Sequence, residues 1–263
     1  MTELVTSIRE RYLQTLEQIE KSAYKSHRDP RDIRLVVVTK TQPIEIVQAA
    51  IEAGITILGE NYPEEGVMKI QSLAAQSRSS RLHFSMERAG QSGVEWHMIG
   101  HVQSRKARLV ADHFALLHSL DSLKLAQRLD RFAAEQNRTL PVLLEFNVGG
   151  EETKSGWDVP DLPALEKILP DIQTVLDLPN LRVRGLMTMP PLGMDAEDSR
   201  RFFQSLRLLR DQLASLYPQA DWRELSMGTS ADYTVAVAEG ATLVRVGTAI
   251  VGARKYKSEK EAE

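Results

Sequence analysis

RLVVVTK, residues 34–40, carries an apolar run, Leu35-Val36-Val37-Val38, that stops on a lysine, and a helical pattern opens three residues later at Pro43. Unbroken apolar runs, as opposed to alternating ones, are what a parallel strand covered on both faces requires. Seven further runs of this kind follow: ITILGEN (55–61), WHMIG (96–100), FALLHSLD (114–121), PVLLEFNV (141–148), VRGLMTM (183–189), ELSMG (224–228) and TLVRVGTAIVG (242–252). Helical patterns fill the intervals. Pro43 suits a first turn, Ile44, Val47 and Ile51 make a stripe, and Gly54 sits where that helix should stop. Asp121 or Ser122 can cap a helix bearing Leu125, Leu129 and Phe132. Phe202, Leu206, Leu209, Leu213 and Leu216 form the clearest stripe, and Ser230 can cap a helix ending at Gly240. Before the first strand, Leu4, Ile8, Tyr12, Leu16 and Ile19 recur at helical spacing.

Eight strand–helix units in this length predict an α/β fold: a single-domain (β/α)8 TIM barrel with an extra N-terminal helix, over residues 1–254, and a flexible tail over 255–263. The alternative is an open doubly wound sheet. The count of eight favours the barrel, as does the lack of a GxGxxG after the first strand. The stretch from Leu73 to Val94, rich in Ser, Arg, Gln and Gly, reads as a long surface loop.

Composition narrows the function. The 263 residues include 33 Lys plus Arg and 36 Asp plus Glu, a slightly negative balance that gives no electrostatic footprint for nucleic acid or an anionic membrane. Cysteine is absent, which removes disulfides and thiolate chemistry together. The opening MTELVTSIRERYLQ has charges where a signal peptide would need an apolar core, so a cytoplasmic protein is expected. A closed barrel leaves no sheet edge to pair, and a monomer is expected.

In such a barrel the site lies at the carboxyl ends of the strands. The seventh end supplies Ser226, Met227, Gly228 and Ser230, and the eighth Arg245, Gly247 and Thr248. Hydroxyls and small residues at these two ends are suited to an anion, since barrels often bind phosphate there. Two ordinary tight turns would look the same one at a time. Lys40 closes the first strand, the neighbour of the eighth in a closed barrel. Alone it would be a solvated strand tip; beside a phosphate cradle and partly dry, its amine could condense with an aldehyde. An aldehyde joined to a phosphate is pyridoxal 5'-phosphate. Arg245 lies inside the apolar LVRVG, where an unpaired charge is costly. It could meet a pyridine nitrogen, or form an ion pair with Glu60 or Glu145. His97 and His101 share no helical face, so a zinc pair is not indicated, nor is a P-loop present. Lys154 is a secondary candidate for receiving cofactor during transfer.

Several segments together carry a resemblance: VVVTKTQP, GENY, WHMIGHVQS, HSLDS, FNVGGEETKSGW, RGLMTMP, ELSMGTSADY and TLVRVGTAIVGAR. In these the chain resembles the pyridoxal-phosphate homeostasis proteins of the YggS/PROSC type and, more distantly, the barrel domain of alanine racemases. The resemblance implies a Schiff base between pyridoxal 5'-phosphate and Lys40, and phosphate contacts from Ser226, Gly228, Ser230, Gly247 and Thr248. It also implies Arg245 near the ring nitrogen, with Asn61, His97 and Met187 around the ring. Met227 is counted with the cofactor-binding residues, although methionines such as Met227, Met187 and Met189 more often fill core than contact a ligand. Pro63 and Arg105 depart from the family pattern, which usually has a valine-like residue and an asparagine there.

The resemblance further implies a protein of vitamin B6 homeostasis that holds, buffers or delivers the cofactor to apo-enzymes, affects amino-acid and keto-acid balance, and has no turnover of its own. An arginine at the pyridine nitrogen keeps that nitrogen unprotonated and the ring a weak electron sink. Racemases on this barrel add a C-terminal β domain carrying a second proton donor, which this chain, ending soon after Arg254, is not expected to have. The alternative is a weak amino-acid racemase with Lys40 as base. Tyr62 and Tyr233 lie near the site, but nothing in the sequence poises either as an acid.

Overall fold

Strands that are apolar on both faces need cover inside and out, and the chain supplies it by closing one sheet on itself. The computed structural model describes residues 2–79, 93–151, 155–191 and 193–253. Its barrel strands are β1 (Arg34–Val38), β2 (Ile57–Glu60), β3 (Glu95–Met98), β4 (Leu116–Leu120) and β5 (Leu140–Asn147), followed by β7 (Leu181–Met187), β8 (Glu224–Ser226) and β9 (Leu243–Val246). A two-residue strand, β6 (Trp157–Asp158), adds outside the ring to the end of β5. All pairings are parallel. β4 pairs with β5 and β9 with β1, so the ring closes and the open-sheet alternative is excluded. Register fixes the neighbours: Val37 of β1 lies opposite both Leu58 of β2 and Val246 of β9.

The two faces of the strands fill two different layers, as a period of two demands. Leu35 and Val37 of β1 pack outward into the large core between sheet and helices. Val36 packs inward with Leu116, Leu143, Met187 and Leu243, a small apolar plug inside the barrel. Around the ring run α2 (Ile44–Glu52), α3 (Pro63–Ser79), α4 (Ala107–His113), α5 (Leu123–Glu135), α6 (Leu162–Leu176), α7 (Arg200–Leu216), α8 (Tyr233–Ala238) and α9 (Thr248–Val251). The extra helix α1 (Glu3–Lys25) ties the two ends of the chain together. Arg11 Nε donates to the Ile250 carbonyl at 2.6 Å and Ser22 Oγ to the Thr234 carbonyl at 2.6 Å.

Most local expectations hold with small displacements. Ser122, not Asp121, caps α5 by accepting from the Leu125 N–H. The buried face of α1 includes Val5, while Leu4 is exposed. Ser230 is not a helix cap, because α8 starts only at Tyr233, after Asp232. The loop expected from Leu73 onward is wrong at its start: α3 continues through Ser79, opened by Pro63 at the position that needs no N–H partner. Residues 80–92 and the tail 255–263 lie outside the described residues.

The stripe of α7 also ends one turn early, with Leu213 fully buried and Leu216 half exposed. Leu213→Ala should therefore cost about 2–5 kcal/mol of unfolding free energy in urea titrations, the usual range for a buried leucine. Leu216→Ala should change it by less than about 0.5 kcal/mol. Equal effects would contradict the packing of this helix.

Candidate functional site

The carboxyl ends of β8 and β9 form two turns that face each other. Ser230 Oγ accepts from the Gly247 N–H at 3.3 Å, bridging the turns directly. Asp232 shapes the first turn by accepting from the Thr229 N–H at 2.7 Å and its hydroxyl at 3.1 Å. A side chain at Gly228, where φ is +91°, would strike Ala236 Cβ at 2.5 Å, and one at Gly247 would reach the Val38 carbonyl oxygen at 3.2 Å. Gly228 thus needs a bare backbone, and Gly247 leaves little room for a side chain. Among the described residues no group accepts from the N–H groups of Ser230, Ala231, Thr248 or Ala249. Four exposed donors beside two small-residue turns make a cradle suited to a phosphate.

Lys40 lies two residues past the end of β1, the strand hydrogen-bonded to β9. It is half buried and has the parity of Val36, which faces the barrel interior. The same alternation separates the other candidates. Ser226 and Arg245 point inward, and Arg245 donates to Ser226 Oγ at 2.5 Å and to the Thr188 carbonyl at 3.1 Å. The buried hydroxyl of Ser226, expected at the phosphate, meets Arg245 and His118 in this structure. Met227, expected at the cofactor, has its side chain fully buried in the layer between sheet and helices, and its N–H donates to the Leu243 carbonyl at 3.1 Å. Met187 does line the barrel, below the site, in the inner plug. Asn61 at the end of β2 holds a buried Oδ1 without a partner, an acceptor that a ligand donor could use. Lys154 lies outside the described residues.

Arg245 is 4% exposed, and among the described residues no carboxylate comes within ion-pair distance of it. The expected pairing with Glu60 does not form, because Glu60 is held by Lys69 at 2.8 Å. Burial lowers Arg245 to about 10, against the raising fields of Asp232 and Glu145, so it stays charged at neutral pH. A buried cation with unused donors at the mouth of a barrel suits a ligand acceptor.

Below Arg245 runs a polar chain that the sequence did not reveal. His118 Nδ1 meets Ser226 Oγ at 2.7 Å, His118 Nε2 meets His97 Nδ1 at 3.0 Å, and His97 Nε2 meets Glu95 Oε2 at 3.2 Å. Glu95 lies 3.9 Å from Arg34, which pairs with Glu224 at 2.8 Å. Burial drives His97 down and His118 further down, His118 also by the fields of His97 and Arg245. With both rings neutral, one assignment satisfies every contact: each donates from Nε2, and the chain runs Arg245 to Ser226 to His118 to His97 to Glu95. His97 is thus a link in this chain, buried beneath the mouth. His118, which reads from sequence as an ordinary core histidine, is its centre. His101 instead meets Asp121 at 2.7 Å, and no cluster of potential metal ligands occurs among the described residues.

These positions define a class: a parallel barrel presenting a lysine, an anion cradle and a buried arginine at one mouth. Comparison with known proteins agrees. The family model described as alanine racemase, N-terminal domain, matches residues 17–255. A pyridoxal phosphate homeostasis protein of Vibrio alginolyticus is 38% identical over 252 residues, 96% of this chain and all of that one. The solved structure of PipY from Synechococcus elongatus, with PLP bound, is 33% identical, covers 93% of this chain and 100% of its own, and has a TM-score of 0.74. Alanine racemase of Clostridium difficile, 15% identical with a TM-score of 0.64 over 97% of this chain and 58% of its own, shares the fold. The chain belongs to the pyridoxal phosphate homeostasis protein family. Among the described residues no helix is long and apolar enough to cross a membrane.

The neutral histidine pair has a pH consequence. Both folded-state pKa values lie below the ordinary 6.5, so as pH falls through that value the unfolded chain takes up protons that the native chain does not. The stability these groups contribute is present above about pH 6.5 and is lost as the solution is acidified below it. The urea midpoint of His118→Gln should be lower than wild type at pH 7.5 and should fall less steeply towards pH 5. A steeper fall in the variant would mean that the pair is charged in the native state.

Proposed function

We propose that this protein holds pyridoxal 5'-phosphate covalently on Lys40 and acts in vitamin B6 homeostasis, keeping or delivering the cofactor to apo-enzymes without turnover. The observation that carries the reading is the β1–β9 pairing, which sets the strand leading to Lys40 beside the strand ends whose turns carry the open N–H groups. It is supported by the PLP-bound PipY structure at 33% identity and by family membership along nearly the whole chain. The Lys40 amine adds to the cofactor aldehyde and one water leaves as the C=N bond forms; no oxidant or reductant is needed. The turns of Ser230 and Thr248 hold the phosphate through their open N–H groups, Gly228 and Gly247 keep those turns clear of side chains, and Asn61 offers its unpartnered acceptor. Ser226 acts indirectly, by orienting Arg245.

Arg245 argues for holding over turnover. Set against a pyridine nitrogen, a guanidinium that stays charged offers a donor and no proton acceptor. The nitrogen then stays unprotonated and the ring draws electrons poorly, which disfavours the carbanion chemistry a racemase needs. Burial pushes Tyr233 up, so it stays protonated at neutral pH and offers no base.

Purified protein mixed with the cofactor should turn yellow, and borohydride should fix the cofactor on Lys40 in peptide maps. Lys40→Ala should lose both signals. With D- or L-alanine in deuterium oxide, no exchange of the α proton above the rate of free cofactor is expected. Rapid exchange would replace the carrier reading with the racemase one, and a colourless wild type would remove both.

A further inference from the structure

Lys40 sits in a turn that its own sequence disfavours. Thr41 has φ +59°, in the left-handed region, where a β-branched residue is a genuine outlier. Only two other non-glycine residues among those described share this sign, His27 and Asn137, and each follows directly on a helix end, where the conformation is common. Thr41 caps no helix. A strained residue persists where its surroundings over-determine it.

The surroundings here are a buried ionic cluster behind the turn. Lys69 Nζ donates to the Thr39 carbonyl at 2.7 Å, to Glu60 Oε1 at 2.8 Å and to Glu65 Oε1 at 2.6 Å. Glu60 Oε1 also accepts from the Thr39 hydroxyl at 2.7 Å. Glu65 Oε1 accepts from the Thr41 N–H at 2.6 Å. Both peptide groups flanking Lys40 are thereby gripped from α3, the Thr39 carbonyl by Lys69 and the Thr41 N–H by Glu65. The Thr41 hydroxyl turns back on the Lys40 carbonyl at 2.7 Å. Lys69 is 6% exposed, and a buried lysine with two carboxylates is a costly arrangement for mere solubility.

We infer that Glu65 and Lys69 are positioning residues: they clamp the Lys40 turn in its strained form and so aim the amine at the cradle. The inference rests on the proposed role of Lys40, but its geometry can be tested without cofactor. If Thr41 relaxes to negative φ, the peptide between residues 40 and 41 rotates and the half-buried Lys40 side chain swings towards solvent.

The direct test is competitive acetylation of the cofactor-free protein, with Lys40 labelling read by peptide mapping, in wild type, Glu65→Ala and Thr41→Gly/Glu65→Ala. Glu65 is the side chain to remove, since the Lys69–Glu60 pair then stays intact. Lys40 labelling should rise about tenfold in Glu65→Ala, the size of effect that backbone strain of this class corresponds to. Glycine takes the left-handed conformation without penalty, so the double variant should return to near the wild-type rate. Borohydride trapping of added cofactor on Lys40 should follow the inverse pattern. Unchanged labelling in Glu65→Ala overturns the clamp, and so does a rise that Thr41→Gly fails to reverse. Should Glu65→Ala not fold, Glu65→Met, which fills the same space without an acceptor, gives the same comparison alone and with Thr41→Gly. If wild type takes up no cofactor while labelling behaves as stated, the clamp stands and the cofactor reading falls.

Discussion

The pairing of β1 with β9 is the constraint on which the site depends. Four residue pairs, from Arg34–Leu243 to Val37–Val246, close the barrel and set the last strand against the first. A lysine near residue 40 and turns near residues 228 and 247, far apart in the chain, are thereby brought to one mouth. The approach is close enough that a β carbon at Gly247 would meet the carbonyl oxygen of Val38. Hydroxyls, backbone donors and an amine that are ordinary in isolation become a site because the ring has closed.

Beneath that mouth the barrel is not uniformly apolar. A plug of Val36, Leu116, Leu143, Met187 and Leu243 fills part of it, and the polar chain from Arg245 to Glu95 fills another. Each buried polar group in that chain has a partner, the condition under which such groups are tolerated. Its direction is set from both ends: a guanidinium can only donate and a carboxylate can only accept. The consequence is a guanidinium fixed by neutral neighbours, with its charge left for whatever occupies the mouth. On the outer face charge is paired locally instead, with Lys69 set between Glu60 and Glu65 around the turn that bears Lys40.

Legibility in the sequence follows the range of the interactions involved. The strands and their order are local information, carried by runs such as RLVVV and LVRV, and the count of eight was sufficient to choose a barrel. That Lys40, Ser230, Gly228, Gly247 and Thr248 lie at strand ends was legible because strand ends are visible once strands are. Ser226 and Met227 share a strand end but face opposite layers, which parity alone gives: with Leu225 outward, Ser226 turns in and Met227 out. His118 was opaque because its partner Ser226 is 108 residues away and its ring lies in a run, LLHSL, that otherwise reads as plain core. Lys69 was hidden for a similar reason, since a Glu65–Lys69 spacing of four is the commonest pattern of an exposed helix pair, yet this one is buried.

The most direct measurement is a crystal structure of the protein grown with pyridoxal 5'-phosphate. Density should run continuous from Lys40 Nζ to the cofactor, with the phosphate within hydrogen-bonding distance of the N–H groups of Ser230, Ala231, Thr248 and Ala249. A guanidinium nitrogen of Arg245 should lie against the pyridine nitrogen. A cofactor bound elsewhere on the barrel, or one whose phosphate avoids the two turns while another lysine carries the bond, would contradict this arrangement.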